Sequence, residues 1–371
     1  MKKIKLVLSI RSLDIGGAER QFIELVKNID KKKFNVTVVT MYGGIQEKSI
    51  KDIKGVAYHN LNKKSRYDIF GFCNRYKKVL YTIKPDVIYS FMGEMNIFSY
   101  ICKPKRSKLI WGFRASNMDL KQYGRVSQII FLLQKLLSKN IDCIISNSKA
   151  SISFHQQNGF YMNNSLVIYN GIDTEKFRFD NKKRLDFRKK FNIDSNKIVF
   201  GIAARIDAMK GYPVLAKTLY DLFESGIEFM VCIAGSGDEN IKREFINTLQ
   251  KYKDKVIFLG SVEDMPYFYS GVDIVISSSV FGEGFSNSIA EAMSCQRACV
   301  VTDVGDSAFI VQKSGIVVEP NDSKSLKDGL LKILDSNYID LGKKARERIV
   351  KNFSIKHMVK HTQEVIEKCA E

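Results

Sequence analysis

Two cations stand where a strand gives way to a helix in the second half of the chain. Arg205 follows the apolar run at residues 201–203, and Lys210 precedes Gly211 at the start of an amphipathic segment. A diphosphate needs its negative charge neutralised, and two cations at the carboxyl end of a strand are suited to that task. The same pair also fits a solvated surface loop, so these residues alone leave both interpretations open.

A glycine-flanked acid forms the second pattern. Glu283 is followed by Gly284, Phe285 and Ser286, and an amphipathic segment begins there. Free backbone amides at the start of a helix suit sugar hydroxyls or phosphate oxygens. This spacing favours a ligand-binding loop with Glu283 inside it, although an exposed loop acid would have the same sequence.

A second acid, Glu291, lies eight positions after Glu283 and within the predicted helix. A carboxylate can accept hydrogen bonds from both hydroxyls of a ribose. Ser288 and Glu291 also have the spacing of a capping box, which would explain this acid without any ligand. Capping does not explain Glu283 and its glycines, so we favour the ligand-binding interpretation for the pair.

A glycine pair, Gly16 and Gly17, follows the first strand-like run and opens the first predicted helix. Glycine lets a backbone approach a phosphate closely, and a helix start supplies amide donors and partial positive charge. The pair is not a GxGxxG motif, and it also fits a simple turn.

Short β-branched runs alternate with longer amphipathic runs along the whole chain. Such alternation predicts right-handed βαβ units and parallel sheets. The chain of 371 residues is long enough for two such units, with a join near Asn170-Gly171. We therefore predict an α/β fold of two doubly wound, Rossmann-like domains, residues 1–170 and 171–353, facing a central cleft.

The net charge of +19 is concentrated in the first domain. Residues 1–170 hold 29 Lys and Arg against 11 Asp and Glu, a net charge of +18. Such a field draws a protein to an anionic membrane or to nucleic acid. The basic segment at residues 75–78 and the apolar-basic segment at residues 125–139 are candidates for membrane docking. The apolar stripe in the second segment also fits a buried core face, and we favour that interpretation.

The seven cysteines are scattered without CxxC spacing, so we expect them reduced and mostly buried. No apolar run reaches the ~20 residues that a membrane span requires. We expect a cytoplasmic protein whose membrane contact is peripheral.

With these motifs in order, the chain resembles glycosyltransferase family 4, whose members have the GT-B fold and build bacterial surface glycans. The resemblance extends over nearly the whole sequence. It is carried by residues 16–20, 170–173, 205–211, 235–238, 256–260, 283–291 and 301–305.

The resemblance implies roles for the residues above. Arg205 and Lys210 would bind the donor diphosphate and act in catalysis with Glu283, which would contact the donor sugar near the amides of Gly284 and Phe285. Glu291 would hold the ribose. The remaining implied contacts are Ser286 with the donor, Val262 with the base, Gly16 and Gly17 with the diphosphate from the first domain, and residues 354–371 packed back onto that domain.

Many relatives place a histidine from the first domain near the reacting sugar. The corresponding stretches here, residues 90–96 and 111–117, contain no histidine, and Arg114 and Asn117 are the candidates for that place. The four histidines of the chain lie outside every motif, so we expect them at surface or helix positions.

The resulting prediction is a retaining hexosyltransferase that uses a nucleotide-sugar, with a preference for uridine, as a substrate and needs no cofactor or metal. Its acceptor would be a lipid-pyrophosphate-linked glycan at an anionic membrane, and nucleic acid would not be a partner. Two alternatives remain: a nucleotide-sugar epimerase of GT-B architecture, and a basic nucleic-acid-binding protein, although recognisable nucleic-acid modules are missing.

Overall fold

The computed structural model describes residues 2–114 and 124–371. The chain divides into two compact units. Unit 1 consists of Met1–Gly171 together with Ile355–Glu371, and unit 2 consists of Ile172–Ser354.

Unit 1 contains a parallel sheet of seven strands in the order β3-β2-β1-β4-β5-β6-β7. The order reverses direction between β1 and β4, which is the topological switch point where such sheets bind ligands. The strands are β1 (Ile4–Ile10), β2 (Phe34–Thr40), β3 (Val56–Asn60), β4 (Val87–Phe91), β5 (Lys108–Phe113), β6 (Cys143–Ser146) and β7 (Ser165–Val167). The helices between them are α1 (Gly17–Asn28), α2 (Glu47–Lys51), α3 (Ile69–Ile83), α4 (Gly93–Cys102), α5 (Arg125–Leu137) and α6 (Lys149–Gln157).

Unit 2 contains a parallel sheet of six strands in the order β10-β9-β8-β11-β12-β13. Its switch point lies between β8 and β11. The strands are β8 (Ile198–Ala203), β9 (Phe229–Ala234), β10 (Val256–Gly260), β11 (Ile274–Ser277), β12 (Ala298–Thr302) and β13 (Gly315–Val318). The helices are α7 (Asn181–Lys190), α8 (Tyr212–Glu224), α9 (Glu239–Thr248), α10 (Met265–Gly271), α11 (Asn287–Ser294), α12 (Ser307–Val311), α13 (Ser323–Leu334) and α14 (Tyr338–Asn352).

The last helix, α15 (Ile355–Ala370), belongs to unit 1. Its apolar face enters the core of that unit, where Met358 and Ile366 lie in one buried cluster with Phe22. The Gln363 side chain accepts a hydrogen bond of 2.7 Å from the backbone amide of Asp30, which fixes the helix beside the end of α1. The final segment therefore completes the first unit.

The predicted fold class is confirmed, since both units have parallel sheets with helices between the strands. The central strands are buried on both faces, and β4 is buried at every position. This pattern is typical of strands covered by helices on both sides. Five of the seven cysteines are buried and all are free thiols.

The apolar stripe of residues 125–139 differs from the prediction. The favoured interpretation, a buried core face, is wrong for α5, because Val126, Ile129, Leu132, Leu133 and Leu136 are each between 40% and 58% exposed. The opposite side of the helix supplies the contacts with the rest of unit 1. Within the described residues, every helix is too short or too polar to cross a bilayer.

Candidate functional site

An ion pair between Lys210 and Glu283 lies beyond the carboxyl ends of β8 and β11 in unit 2. The Lys210 ammonium donates to Glu283 Oε1, and the Ser279 hydroxyl donates to the same oxygen over 2.7 Å. Both charged side chains are largely buried, with exposed fractions of 15% and 9%. Because little water screens two charges in such surroundings, the attraction between Lys210 and Glu283 is strong.

The backbone at Lys210 and Gly211 is held by Ser278, which directly follows β11. The Ser278 hydroxyl donates a hydrogen bond of 2.8 Å to the Lys210 carbonyl oxygen. Gly211 has φ +65°, and a Cβ there would lie 2.1 Å from the Ser278 carbonyl oxygen. Glycine is therefore required at 211, both for the left-handed backbone and for the close approach of the two loops.

The loop that carries Glu283 is held by the segment after β12. The Asp306 amide donates a hydrogen bond of 3.1 Å to the Gly284 carbonyl oxygen. Gly305 has φ +64°, and a Cβ there would lie 2.4 Å from the Glu283 carbonyl oxygen. The Phe285 ring is buried, so this side chain holds the loop in the core. The loop is thus rigidly placed before α11 begins.

Glu291 lies inside α11 and is buried. Its Oε2 accepts a hydrogen bond of 3.3 Å from the Tyr269 hydroxyl. The capping-box interpretation is wrong, because the residue that caps α11 is Ser286 and Ser288 is already helical. The carboxylate at Glu291 therefore has another role than closing the end of the helix.

Arg205 and Val262 lie in loops at the same edge of the unit 2 sheet. The Arg205 side chain is 75% exposed, and its Nη2 lies 3.1 Å from Asp207 Oδ2. Val262 is half-buried and follows Gly260, which has φ +65°. The structure thus gives Arg205 and Lys210 different surroundings, since one cation faces solvent and the other is buried with Glu283.

A narrow crevice lies beside Lys210, between the carboxyl ends of β8 and β11 at the switch point of the sheet. It is lined by Lys210 and Ser288 and by residues 203–204 and 277–279. Its volume of about 10 Å³ has room for one water molecule. The arrangement can neutralise an anion that approaches the carboxyl edge, but a diphosphate would have to draw the Lys210 ammonium away from Glu283.

The glycine pair of unit 1 lies at the start of α1. Gly16 is the N-cap residue and Gly17 is the first helical residue. The carboxylate of Glu19 lies over Gly16, close to where a Cβ would be. Burial, the largest cause, raises the pKa of the Glu19 carboxyl. A phosphate at this helix start would have to displace that carboxylate, and the predicted role of the glycines stays a prediction.

A larger pocket, of about 500 Å³, opens at the carboxyl edge of the unit 1 sheet. One side carries an ion pair of 3.1 Å between Arg11 Nε and Glu94 Oε2. Arg114 also lines it and donates a hydrogen bond of 2.7 Å from Nη2 to the Tyr89 hydroxyl. The other lining residues come from the starts of α1 and α4, from the end of β5 and from α5 and α6: Ala18, Met92, Gly93, Gly112, Phe113, Ser127, Ile130, Phe131, Gln134 and His155.

The residue that sequence reasoning missed is His155, which lines this pocket from α6. Its ring stacks on Phe113 with a centroid separation of 4.2 Å. Its Nδ1 donates a hydrogen bond of 2.7 Å to the Ser151 carbonyl oxygen. Burial lowers the pKa of His155 to about 4, against the opposing effect of that hydrogen bond. The imidazole is therefore neutral at pH 7, with Nε2 left as an acceptor.

Arg114 and Asn117 are the candidates for the place of the first-domain histidine, and that role stays a prediction. Arg114 reaches the pocket, whereas Asn117 lies outside the described residues. The other three histidines, His59, His357 and His361, are exposed as expected. The sequence around residue 155 gives no sign of a pocket. His155 lines the pocket because the pairing of β5 with β6 brings α6 next to Phe113 at the end of β5.

Lowering the pH is expected to destabilise unit 1 through His155. The unfolded chain binds a proton near pH 6.5 and the folded protein only near pH 4, so the free energy of unfolding falls as pH drops between these values. The loss should be on the order of 2–3 kcal/mol at pH 4 relative to pH 7. Urea denaturation of wild type and His155→Gln across this range measures it. The variant should lose most of the slope, and exposed His59→Gln should keep it.

The fold of this chain is that of solved GT-B structures, among them a glycosyltransferase of Rickettsia africae. The crystal structure of Anabaena HepE in complex with UDP superposes with a TM-score of 0.83 over 98% of this chain and 100% of that one. The sequence identity is 20%, so this likeness concerns the fold. By fold class the chain is therefore a GT-B protein, with two Rossmann-like α/β units that each have a parallel sheet and a switch point.

The chain belongs to the family 4 glycosyltransferases. The model for Glycosyltransferase Family 4 matches residues 15–176, and the model for Glycosyl transferases group 1 matches residues 197–336. Together these regions cover most of both units.

Two curated relatives show how far the similarity extends. An uncharacterized glycosyltransferase of Methanocaldococcus jannaschii is 28% identical over 63% of this chain and 60% of its own length. The N-acetylgalactosamine-N,N'-diacetylbacillosaminyl-diphospho-undecaprenol 4-alpha-N-acetylgalactosaminyltransferase of Campylobacter jejuni is 25% identical over 90% of this chain and 91% of its own.

Proposed function

We propose that this protein is a retaining hexosyltransferase that moves a sugar from a UDP-sugar to a lipid-linked or polysaccharide acceptor during surface glycan synthesis. Capsule, O-antigen and exopolysaccharide are the product classes. The UDP bound to HepE supports the donor, and the diphospho-undecaprenol in the name of the Campylobacter relative supports a lipid-linked acceptor. Family membership favours this function over an epimerase or a nucleic-acid-binding protein.

The observation that carries the proposal is the buried Lys210–Glu283 pair beside the rigid loop before α11. In the proposed complex the Lys210 ammonium turns to the donor diphosphate with Arg205. Glu283 and the amides of Gly284, Phe285 and Ser286 then face the donor sugar. Glu291, already buried and hydrogen-bonded to Tyr269, accepts from the ribose hydroxyls.

The chemistry follows from charge. The bond between the sugar C1 and the diphosphate oxygen breaks, and the leaving group takes up negative charge that Lys210 and Arg205 stabilise. We propose that these two cations stabilise the leaving diphosphate without the help of a metal ion. The acceptor hydroxyl attacks from the same face, forms the new C1–O bond and passes its proton to the departing phosphate. An NMR assignment of the product tests this step, since an inverted anomeric centre would contradict it.

We propose that the acceptor is met at the cytoplasmic face of the membrane. Residues 1–170 carry a net charge of +18, whereas the rest of the chain is almost neutral, so the excess charge suits contact with an anionic leaflet rather than general solubility. The pocket of unit 1, with Arg11, Arg114 and His155 among its lining residues, is the proposed place for the acceptor.

A screen of nucleotide-sugars by thermal shift should identify one UDP-sugar that stabilises the protein. At 100-fold excess over its Kd, a ligand adds about 2.7 kcal/mol to the free energy of unfolding. Glu291→Gln should weaken binding of that donor by about 10-fold or more, because it removes charge-assisted bonds to the ribose. Exposed Glu244→Gln, also in unit 2, should leave the affinity unchanged. Equal affinities for wild type and Glu291→Gln would remove the ribose contact from the proposal.

A further inference from the structure

The outer face of α5 is an apolar surface without a covering element in the described part of unit 1. The residues Val126, Ile129, Leu132, Leu133 and Leu136 share this face, spaced three or four apart, and are each 40% or more exposed. Exposing five large aliphatic side chains on 13 helical residues costs free energy in water. Exposed apolar residues of unit 2, such as Leu185 and Ile339, lie on separate helices instead.

The inner face of the same helix lines the unit 1 pocket. Ser127, Ile130, Phe131 and Gln134 face the pocket, and Gln134 is buried. A Cβ on Gly93 would lie 2.8 Å from Ile130 Cγ2, so α4 and α5 pack very closely there. The helix therefore separates the pocket from the apolar outer face by its own width, about 10 Å.

The charges around α5 are complementary to an anionic surface. Arg125 lies at the start of the helix and Lys139 just beyond its end, and both are exposed. The neighbouring helix α4 is followed by exposed Lys105 and Arg106. Between Arg125 and Lys139 the sequence has no Asp or Glu. An apolar face on a helix that has cations at both ends and no acid in its own sequence is the pattern of a helix that lies in a lipid interface.

We propose that α5 inserts its outer apolar face into an anionic lipid bilayer and so holds the unit 1 pocket, which lies behind the helix, close to the membrane surface. The proposal deepens the proposed function, since it names the element that brings the protein to its lipid-linked acceptor. With 13 residues α5 is too short to span a bilayer, so it lies in the plane of the interface. The aliphatic side chains of the outer face then enter the lipid, while Arg125 and Lys139 contact lipid phosphates.

The test uses the full chain and vesicles of phosphatidylglycerol mixed with phosphatidylcholine, or of phosphatidylcholine alone. Wild type should co-sediment with the anionic vesicles and lose part of its binding as salt rises. The triple variant Ile129→Ser, Leu133→Ser, Leu136→Ser should bind the anionic vesicles at least tenfold more weakly, because less apolar area enters the lipid. Vesicle binding equal to that of wild type would overturn the proposal.

A matched control replaces three exposed aliphatic residues of unit 2. Leu185, Ile339 and Val350 are between 44% and 61% exposed, and changing all three to Ser should leave vesicle binding as in wild type. Thermal stabilisation by the UDP-sugar should be the same in both variants, so failure of membrane docking and failure of the proposed donor site give different results.

The competing occupant of the face is a second copy of this chain. Light scattering without lipid decides between them. A wild-type dimer that the α5 triple variant turns into a monomer would show that the face is an interface between copies, and would overturn the membrane proposal. A wild-type monomer that binds anionic vesicles through α5 supports it.

Discussion

Replacing Lys210 with alanine is expected to lower the turnover number by about 10²-fold or more at saturating donor. Removing one contact to the charge that develops on a leaving group typically lowers the turnover number by a factor of this size. Lys210 is largely buried and its ammonium faces Glu283, so bulk solvent cannot replace the lost charge. Lys217→Ala, which removes an exposed lysine from α8, should keep the wild-type turnover.

Loss of folding must be separated from loss of chemistry in this experiment. Lys210→Ala leaves the buried Glu283 carboxylate without its cation, which is itself destabilising. Adding Glu283→Gln removes the unpaired charge, so the double variant should recover much of the melting temperature while its turnover stays low. If Lys210→Ala turned over within threefold of wild type, the diphosphate would have to bind elsewhere.

Arg205→Ala is expected to act in the same direction as Lys210→Ala, although the two cations have different surroundings. Arg205 is 75% exposed and paired with Asp207, so its removal should leave the melting temperature nearly unchanged. A fall in turnover without a fall in stability would therefore assign Arg205 to the donor directly.

The sheet strands could be predicted closely from sequence. The runs at β1, β2, β11 and β12 are continuous and rich in β-branched residues, which is the pattern that predicts strands. Buried parallel strands give this signal because helices cover both of their faces. The strand β3 gives a weaker sequence signal because it is an edge strand with alternate residues exposed, and its sequence Val-Ala-Tyr-His-Asn is short and partly polar.

Helices with little apolar character also give a weak sequence signal. The helix α7 has the sequence Asn-Lys-Lys-Arg-Leu-Asp-Phe-Arg-Lys-Lys, and the residues it buries are Phe187 and Arg188. The Arg188 side chain is buried because Asp273 lies opposite it, 85 residues away in sequence. Periodicity cannot show such a helix, since its stabilising contact is ionic and comes from a distant part of the chain.

The residue types of the candidate site could be read from sequence, but their pairing could not. Lys210 and Glu283 are 73 positions apart and meet because β8 and β11 are neighbours in the sheet. Sequence also could not predict whether the apolar face of α5 is buried or exposed, because a core face and a membrane face have the same periodicity. Which of the two applies depends on whether another element covers the stripe.

Replacing Asp273 with asparagine should destabilise unit 2 strongly while leaving the site intact. Asp273 is buried just before β11 and accepts hydrogen bonds of 2.7 Å from Arg184, 2.6 Å from Arg188 and 2.9 Å from the Val199 amide. Arg297 is also buried nearby, and burial lowers the pKa of its guanidinium to about 10, an effect that Asp273 opposes. Asp273 thus compensates a cluster of buried cations.

Removing one partner of a buried ion pair costs about 3–5 kcal/mol, because the remaining charge is left without compensation. For a unit of this size the melting temperature should fall by roughly 10 °C, measured by calorimetry. Exposed Asp328→Asn in α13 is the matched control and should melt like wild type. A change of less than 1 °C in Asp273→Asn would show that the arginines find other partners.

The two largest effects should separate cleanly because they arise at opposite edges of one sheet. Asp273 lies at the amino ends of β8 and β11, whereas Lys210 and Glu283 lie beyond their carboxyl ends. Well below its melting temperature, folded Asp273→Asn should therefore keep the wild-type turnover per molecule, while Lys210→Ala with Glu283→Gln stays folded and slow. Equal losses of turnover in both variants would mean that the strands transmit the effect of Asp273→Asn to the site at the other edge of the sheet. The conclusion that Ser278 holds Lys210 in a fixed position would then be wrong.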